Sequence, residues 1–224
     1  MLTFGSLFSG IGGFEIGFER AGMACKWQVE IDEYASRVLA KHWPSVHRER
    51  DIKDCGKHNL ESVDVICGGF PCQDISYAGR CAGLDGERSG LFFEAIRVVR
   101  ELQPRIVVME NVAALLTRGL DRVLGTLAEI GYDAEWHCIP AAAVGAPHIR
   151  DRVWIVGYTT MSRDREQRES YPRADTTWPK RPVITHKPSA DINTWTTEPA
   201  VGRVADGIPD RVYRLRGLGN AVVL

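Results

Sequence analysis

The sequence LTFGSLFSGIGG, residues 2–13, decides the predicted fold. The mostly apolar run from Leu2 to Phe8 predicts a strand, and the glycines after it predict a tight turn that opens a helix to about Ala21. In open α/β sheets, a glycine turn between a strand and a helix is where a nucleotide or nucleoside cofactor binds. The strict dinucleotide pattern needs a glycine where this chain has Glu15, and a carboxylate in the first helical turn repels a pyrophosphate. We therefore expect a cofactor without phosphate groups.

Outward from this turn, short apolar runs alternate with amphipathic stretches as far as residue 158. Further strands are predicted at Cys25 to Val29, Val63 to Cys67, Arg105 to Met109, Tyr132 to Ile139 and Arg152 to Tyr158, and helices at Tyr34 to Trp43, Leu91 to Leu102 and Leu120 to Ile130. Strands that alternate with helices predict a parallel sheet with helices on both faces. Because the last two strands have no helical pattern between them, they predict an antiparallel edge hairpin. The predicted fold class is therefore α/β, with a doubly wound, mostly parallel sheet.

The composition changes after Tyr158. Residues 159–197 are rich in Thr, Ser, Pro, Arg and Asp, and their scattered apolar residues show no periodicity, which is typical of a flexible insertion or of a small recognition module. We predict a cofactor-binding and catalytic domain at 1–158, a short irregular C-terminal recognition region or insertion at 159–197, and a return segment to the catalytic domain at 198–224.

Composition and charge limit the class of protein. The net charge of −1 excludes binding of nucleic acid by bulk charge, although residues 159–224 hold 11 basic against 8 acidic side chains, and residues 1–158 hold 17 against 21. No apolar run approaches the ~18 residues of a membrane helix, and the N-terminus lacks the basic start of a signal peptide. The six cysteines include no Cys-x-x-Cys pair. We expect free thiols, no metal site and a cytoplasmic location.

Two acids extend the cofactor prediction. Glu30 ends the second predicted strand, 18 residues after Gly12, where an acid hydrogen-bonds ribose hydroxyls. Asp51 follows a third short segment and is able to accept a hydrogen bond from an adenine amino group. Ribose and adenine without phosphate describe an adenosyl cofactor, of which S-adenosylmethionine is the common one.

Cys72 is the candidate nucleophile. It follows Gly68-Gly69-Phe70-Pro71 after a predicted strand, at the carboxyl edge of the sheet where ligands bind. Pro71 fixes its own φ and restricts the residue before it, which aims the next side chain. A lone cysteine is more often an inert buried thiol, but this loop position favours a reactive one.

Three charged residues are predicted at the same edge. Glu110 follows the predicted strand from Arg105 to Met109, where burial should raise its pKa and allow it to donate a proton, unless it is a helix N-cap or a surface acid. Arg150 and Arg152 precede the last strand and project to one side if the chain is extended there. Their guanidinium groups suit a phosphate or a base carbonyl oxygen, and a solvated charge pair with Asp151 is the alternative.

Five blocks of this sequence resemble, in order, the signature blocks of the DNA cytosine-5 methyltransferases of phage and bacterial restriction-modification systems. They are Phe8-Ser9-Gly10-Ile11-Gly12-Gly13, Gly69-Phe70-Pro71-Cys72-Gln73, Glu110-Asn111-Val112, Arg150-Asp151-Arg152 and Gly219-Asn220-Ala221-Val222. The resemblance covers residues 1–158 and returns at about 198–224.

The resemblance implies a Rossmann-like S-adenosylmethionine-dependent methyltransferase fold. It also implies transfer of a methyl group to carbon 5 of a flipped-out cytosine in duplex DNA through a covalent cysteine adduct. Cys72 would be the nucleophile, Glu110 would hold ring nitrogen 3, Arg152 would contact the base carbonyl oxygen, and Arg150 would support the catalytic loop or a phosphate. The implied cofactor site is lined by Phe8, Gly10, Ile11, Gly13, Glu30, Asp51, Ile52, Leu91 and Asn220. The implied partners are double-stranded DNA and a cognate restriction endonuclease, for a monomeric enzyme that needs no metal.

The chain departs from the family pattern in three places. His148 stands where the family has Gln, residues 159–197 are short for a target-recognition region, and the sequence stops four residues after Asn220, where the family continues into a helix. We therefore expect a truncated chain.

Three alternatives stay open. A transfer-RNA cytosine methyltransferase shares the fold and the thiol chemistry, but its loop carries Pro-Pro-Cys-Gln where this chain has Phe70-Pro71. An NAD-dependent oxidoreductase is disfavoured by Glu15 and has no use for Cys72. A non-catalytic DNA-binding remnant is the third alternative.

Overall fold

The computed structural model describes residues 1–71, 90–146 and 148–159, so the predicted recognition region, apart from Thr159, and the predicted return segment lie outside it. Its strands are β1 (Thr3–Leu7), β2 (Ala24–Val29), β3 (His47–Glu49), β4 (Val65–Gly69), β5 (Ile106–Val112), β6 (Tyr132–Pro140) and β7 (Asp151–Thr159). Its α-helices are α1 (Gly13–Arg20), α2 (Glu33–His42), α3 (Gly90–Leu102) and α4 (Leu120–Glu129).

The strands form one sheet in the order β3-β2-β1-β4-β5-β7-β6. The first five strands of this order are parallel, and β7 pairs antiparallel with both β5 and β6. The strand order reverses between β1 and β4, which is where open α/β sheets bind their ligands. The α/β class, the mostly parallel sheet and the antiparallel edge hairpin predicted from the sequence are confirmed.

Apolar side chains alternate between the two faces of the sheet. In β5, Val107 and Met109 belong to the core cluster that contains the buried residues of α3 and α4. Ile106 and Val108 pack in a second cluster with Phe14 of α1. Because neighbouring residues of a strand point to opposite faces, the two clusters lie on opposite sides of the sheet. Helices therefore cover both faces, as the alternating pattern predicted.

One strand boundary differs from the prediction in a way that affects the site. We expected the strand from Arg105 to end at Met109 and Glu110 to follow it, but β5 continues to Val112. The cause is β7, which pairs with β5 residue by residue from Tyr158 opposite Ile106 to Arg152 opposite Val112. Glu110 is therefore held inside the sheet.

Among the helices that the structure describes, none is both long and apolar enough to cross a bilayer.

We predict that Gly5→Ala destabilises the protein by about 1–3 kcal/mol, the usual cost of overpacking a core. Gly5 lies opposite Trp27, and a Cβ at this position would fall 2.1 Å from the indole ring, which is completely buried. Urea unfolding measures the change. Gly125→Ala is the matched control, because a Cβ on Gly125 of α4 meets nothing within 4 Å and alanine favours a helix. Equal stabilities of the two variants would contradict the close packing of Gly5 on Trp27.

Candidate functional site

The glycine turn after β1 uses left-handed backbone at three residues. The φ angles are 54° at Phe8, 58° at Gly10 and 96° at Gly12. A Cβ on Gly10 would meet nothing within 4 Å, whereas a Cβ on Gly12 would fall 2.4 Å from the ring of Trp43. Gly10 thus leaves open space beside the backbone for a ligand, and Gly12 allows the turn to pack on the end of α2.

Glu30 fixes this turn from the end of β2. Its carboxylate oxygens accept hydrogen bonds from the backbone N–H groups of Gly10 and Asp32, each at 2.7 Å. Burial raises the pKa of Glu30, and these hydrogen bonds oppose the increase. The sequence assigned Glu30 to ribose binding alone, but the structure also shows it joining the turn to the start of α2.

A buried polar network lies beneath the turn. Glu15 is completely buried and its Oε1 accepts a hydrogen bond from Gln28 Nε2 at 3.2 Å. Gln28 Oε1 in turn accepts hydrogen bonds from Nε and Nη2 of Arg48 at 3.1 and 2.7 Å. Burial raises the pKa of Glu15, and hydrogen bonds from its own backbone and from Ser6, Ser9 and Gln28 oppose the increase.

The predicted role of Glu15 is corrected by this network. We expected this carboxylate, in the first helical turn, to repel a pyrophosphate. The side chain instead has no exposed surface and is directed towards β2. It therefore acts on the turn from inside the protein.

The remaining predicted cofactor residues differ in accessibility. Phe8, Gly10, Ile11, Asp51 and Leu91 are half-buried, and Gly13 is buried. Ile52 is only 3% exposed and packs in the core, so its side chain offers almost no surface to a ligand. Ile31, which follows Glu30 and to which we gave no role from the sequence, is a large apolar residue that is 65% exposed. Only its residue type and its place directly after the acid are readable in the sequence, because its exposure is decided by the folded structure.

Glu110 and Arg152 form an ion pair at the carboxyl edge of the sheet. Arg152 Nε lies 2.8 Å from Glu110 Oε1, and the two side chains are 23% and 12% exposed, respectively. Burial raises the pKa of Glu110, and the charges of Arg152 and Arg150 oppose the increase. Gly69 faces Glu110 across the β4–β5 pair, and a Cβ there would fall 2.9 Å from Glu110 Oε2. The glycine therefore leaves the space that the carboxyl group occupies.

Asn111 connects this acid to the loop after β4. Its Nδ2 donates a hydrogen bond to the carbonyl oxygen of Phe70 at 3.1 Å, and the residue is 3% exposed. The sequence analysis quoted Asn111 in a block but gave it no role, although an amide in an otherwise apolar strand signals a buried hydrogen bond. The predicted nucleophile, Cys72, lies two residues after Phe70 and outside the described residues, as does Asn220.

Arg150 does not lie where the sequence analysis expected. Its φ of 39° places it in the left-handed region, and β7 begins only at Asp151. The premise that Arg150 and Arg152 project to one side of an extended chain is therefore wrong. Burial lowers the pKa of Arg150, as does the charge of Arg152, while Glu110 opposes the change. Arg150 is thus electrostatically coupled to the Glu110–Arg152 pair.

No metal centre accompanies these groups in the part of the chain that the structure describes. Nowhere among those residues do three or more His, Cys, Asp or Glu side chains come together in a way that could hold a metal ion.

A family model described as C-5 cytosine-specific DNA methylase matches residues 2–205. The chain belongs to this family. The type II methyltransferase M.HhaI of Haemophilus parahaemolyticus is 33% identical over 159 residues, which are 69% of this chain and 48% of that protein. M.NgoBI of Neisseria gonorrhoeae is 30% identical over 212 residues, which are 84% of this chain and 67% of that protein.

A solved structure shares the fold of this C-5 cytosine-specific DNA methylase. It is a protein assigned as a DNA modification methyltransferase and encoded within an Escherichia coli prophage, with a TM-score of 0.60 and 30% sequence identity. The match covers 71% of this chain and 47% of that one. The chain thus spans about half the length of M.HhaI and of the prophage protein.

We predict that Glu15→Gln changes how stability depends on pH in this methylase. Because the folded-state pKa of Glu15 is raised above its ordinary value of 4.5, the folded state binds the proton more tightly. Its stability therefore falls as the pH rises from the unfolded pKa through the folded one. The uncharged amide removes that loss, so the variant should gain stability relative to the parent over this range.

Urea unfolding at a series of pH values measures this gain. Glu129→Gln, at the exposed end of α4, serves as the control and should show no such trend. A stability difference between Glu15→Gln and the parent that is independent of pH would contradict the raised pKa.

Proposed function

We propose that the chain is the cofactor-binding and catalytic part of a DNA (cytosine-5-)-methyltransferase that uses S-adenosylmethionine. The observation that carries this proposal is the half-buried Glu110–Arg152 ion pair. Glu110 lies opposite Gly69, at the end of the strand that leads to Cys72. Gly69 and Cys72 are three residues apart in the chain, and three residues span at most about 10 Å. The thiol of Cys72 can therefore come within reach of Glu110.

Cys72 supplies the nucleophile in the proposed reaction. Carbon 5 of cytosine is a poor nucleophile, and addition of the Cys72 thiolate to carbon 6 turns the ring into an enamine that is reactive at carbon 5. S-adenosylmethionine, when bound, would supply an electrophilic methyl group on its sulfonium. Carbon 5 takes this methyl group, and as the bond from sulfur to methyl breaks the cofactor would leave as a neutral thioether. Loss of the proton from carbon 5 then re-forms the aromatic ring and expels Cys72 as the thiolate.

Glu110 and Arg152 stabilise the adduct at the polar edge of the base. Glu110 holds or protonates ring nitrogen 3, and its raised pKa favours the protonated form that this step needs. Arg152 is held by Glu110 and by the carbonyl oxygen of Asp151, which accepts a hydrogen bond from its Nη1 at 2.8 Å, and its other N–H donors would contact the base carbonyl oxygen. Arg150 carries a positive charge beside the pair and supports the catalytic loop or a nearby phosphate.

The residues after β1 and β2 suit the adenosyl group. The open side of Gly10 admits a ligand close to the backbone, and Glu30 lies beside it with lone pairs available for ribose hydroxyls. The exposed side chain of Ile31 offers an apolar surface to the adenine ring, and Asp51 accepts a hydrogen bond from its amino group. The cofactor site is completed by Phe8, Ile11, Gly13, Ile52, Leu91 and Asn220.

The substrate is proposed to be duplex DNA with the target cytosine flipped out of the helix, because the site lies at the rim of the sheet and cannot reach a stacked base. Residues 159–197 would contact the target sequence, and residues 198–224 would return to the catalytic domain. We place the enzyme in the cytoplasm as a monomer, paired with a cognate restriction endonuclease.

We predict that Cys72→Ser abolishes methyl transfer while binding of S-adenosylmethionine survives. A serine hydroxyl is far less acidic than a thiol and does not supply the anion that attacks carbon 6. Transfer of labelled methyl groups to duplex DNA measures turnover, and calorimetry measures cofactor binding. Covalent trapping on duplex DNA that contains 5-fluorocytosine should occur with the parent and not with the variant.

Cys138→Ser, a change at an exposed cysteine of β6, is the matched control for this experiment. Near-parental transfer by Cys72→Ser would remove Cys72 from the mechanism. Transfer by the parent to transfer RNA instead of DNA would favour the transfer-RNA methyltransferase reading.

We predict that Glu110→Gln lowers kcat by about 10² or more, the usual contribution of a positioned acid. Because the parent needs protonated Glu110, its kcat should fall as the pH rises through the raised pKa, and this limb should be absent from the variant. Single-turnover transfer across a pH series measures both effects, with Glu129→Gln as control. An unchanged rate in Glu110→Gln would contradict the assigned role.

A further inference from the structure

Arg97, near the middle of α3, uses its whole guanidinium group in hydrogen bonds. Its Nε donates to Glu94 at 2.8 Å, and its Nη1 donates to Glu101 at 2.9 Å. These acids lie three residues before and four residues after Arg97 on the same helix, so they hold the guanidinium in one orientation. The donors that remain point away from α3.

The remaining donors reach a segment more than 40 residues earlier in the chain. Nη1 donates to the carbonyl oxygen of Cys55 at 2.8 Å, and Nη2 donates to those of Ile52 at 2.9 Å and Lys53 at 3.4 Å. Arginine has five N–H donors, and together with the two acids there are five acceptors. All five N–H donors of the Arg97 guanidinium group are therefore used in hydrogen bonds, and a lysine could not reproduce this planar arrangement.

The segment that Arg97 binds is the short 3-10 turn Ile52–Asp54, which Asp51 starts. Asp51 Oδ1 accepts a hydrogen bond from the Lys53 N–H at 3.0 Å, and the Asp51 carbonyl oxygen accepts one from the Asp54 N–H at 3.0 Å. The turn lies beyond the end of β3 at Glu49, so the ladder of the sheet does not hold it. It is held instead by the apolar anchor Ile52, by Arg97, and by hydrogen bonds from Cys55 Sγ to the Asp51 carbonyl oxygen and from Asn59 Nδ2 to the Asp54 carbonyl oxygen.

We propose that Arg97 is a positioning residue for the adenosyl cofactor and acts through the Asp51 turn. The inference rests on the proposed function, in which Asp51 accepts a hydrogen bond from the adenine amino group. Leu91 lies in the first turn of α3, so Arg97 also fixes the adenine side of the site relative to a second proposed cofactor residue. Loss of the fork would let Asp51 shift while the Glu110–Arg152 pair stays in place.

The expected signature is loss of selectivity for adenine. A site built to hydrogen-bond an amino group rejects the analogue that carries a carbonyl group in its place. The parent should therefore bind S-adenosylhomocysteine more tightly than S-inosylhomocysteine. In Arg97→Met we expect the Kd of the adenosyl compound to rise roughly tenfold or more, and the ratio of the two Kd values to approach one. KM for S-adenosylmethionine should rise while kcat at saturating cofactor stays near the parental value.

Titration calorimetry of the full chain with both compounds tests this, using Arg97→Met, Arg97→Lys and Arg100→Met. Arg100→Met makes the same substitution on the exposed side of α3 and should behave as the parent. Arg97→Lys keeps the charge and the packing of the stem, so it reports on the fork even where the methionine variant fails to fold. We expect it to lose selectivity for adenine in the same direction.

The outcomes separate the two proposals. Failure of the parent to bind S-adenosylhomocysteine overturns the proposed function and this inference with it. Parental affinity and selectivity in both Arg97 variants overturn the inference alone. An equal loss of affinity for both compounds, with their ratio unchanged, also overturns it, because that result assigns Arg97 to general stability of α3.

Discussion

Parallel pairing of β1 with β2 on one side and with β4 on the other is the constraint on which the rest of the molecule depends. Parallel strands end at the same edge of a sheet, so the turn after β1 and the loop after β4 must emerge side by side. In both pairings a glycine is needed because the neighbouring strand comes too close for a Cβ atom. Gly5 makes room for Trp27, and a Cβ on Gly68 would fall 2.5 Å from the carbonyl oxygen of Leu7. The proposed sites of the methyl donor and of the reactive thiol therefore follow neighbouring strands at one edge of the sheet.

Three acids near this edge, two buried and one half-buried, show how surroundings assign different tasks to one chemical group. Glu15 is completely buried among polar side chains, Glu30 is engaged by two backbone N–H groups, and Glu110 is paired with Arg152. Burial raises the pKa of all three carboxyl groups. Of the three, only Glu110 forms an ion pair and keeps an exposed fraction above 10%, and Gly69 opposite it leaves room for its carboxyl group. Accessible space, more than the direction of the pKa shift, distinguishes the proposed catalytic acid from the structural ones.

The sequence alone predicted the sheet class, the helices and the antiparallel hairpin, because periodicity and glycine turns are local signals. It did not predict that β5 continues through Glu110, since that extension comes from pairing with β7, about 40 residues later. The left-handed conformation of Arg150 and the burial of Ile52 were not predicted for the same reason, because each is decided by tertiary contacts. Asn111 carried a readable signal, a polar amide in a buried strand, that was not used.

The strand order also has a consequence for folding while the protein is synthesised on the ribosome. β7 is the last described strand to be synthesised, yet it inserts between β5 and β6, which are made before it. Until residues 151–159 emerge, the nascent β5 has an open edge that invites pairing with other chains, and Glu110 lacks its guanidinium partner. Pairing of β7 with β5 therefore covers this edge and brings Arg152 to Glu110 in the same step. A chain that ended before Asp151 would expose the edge of β5 to pairing with other chains, and its Glu110 would lack the guanidinium partner Arg152.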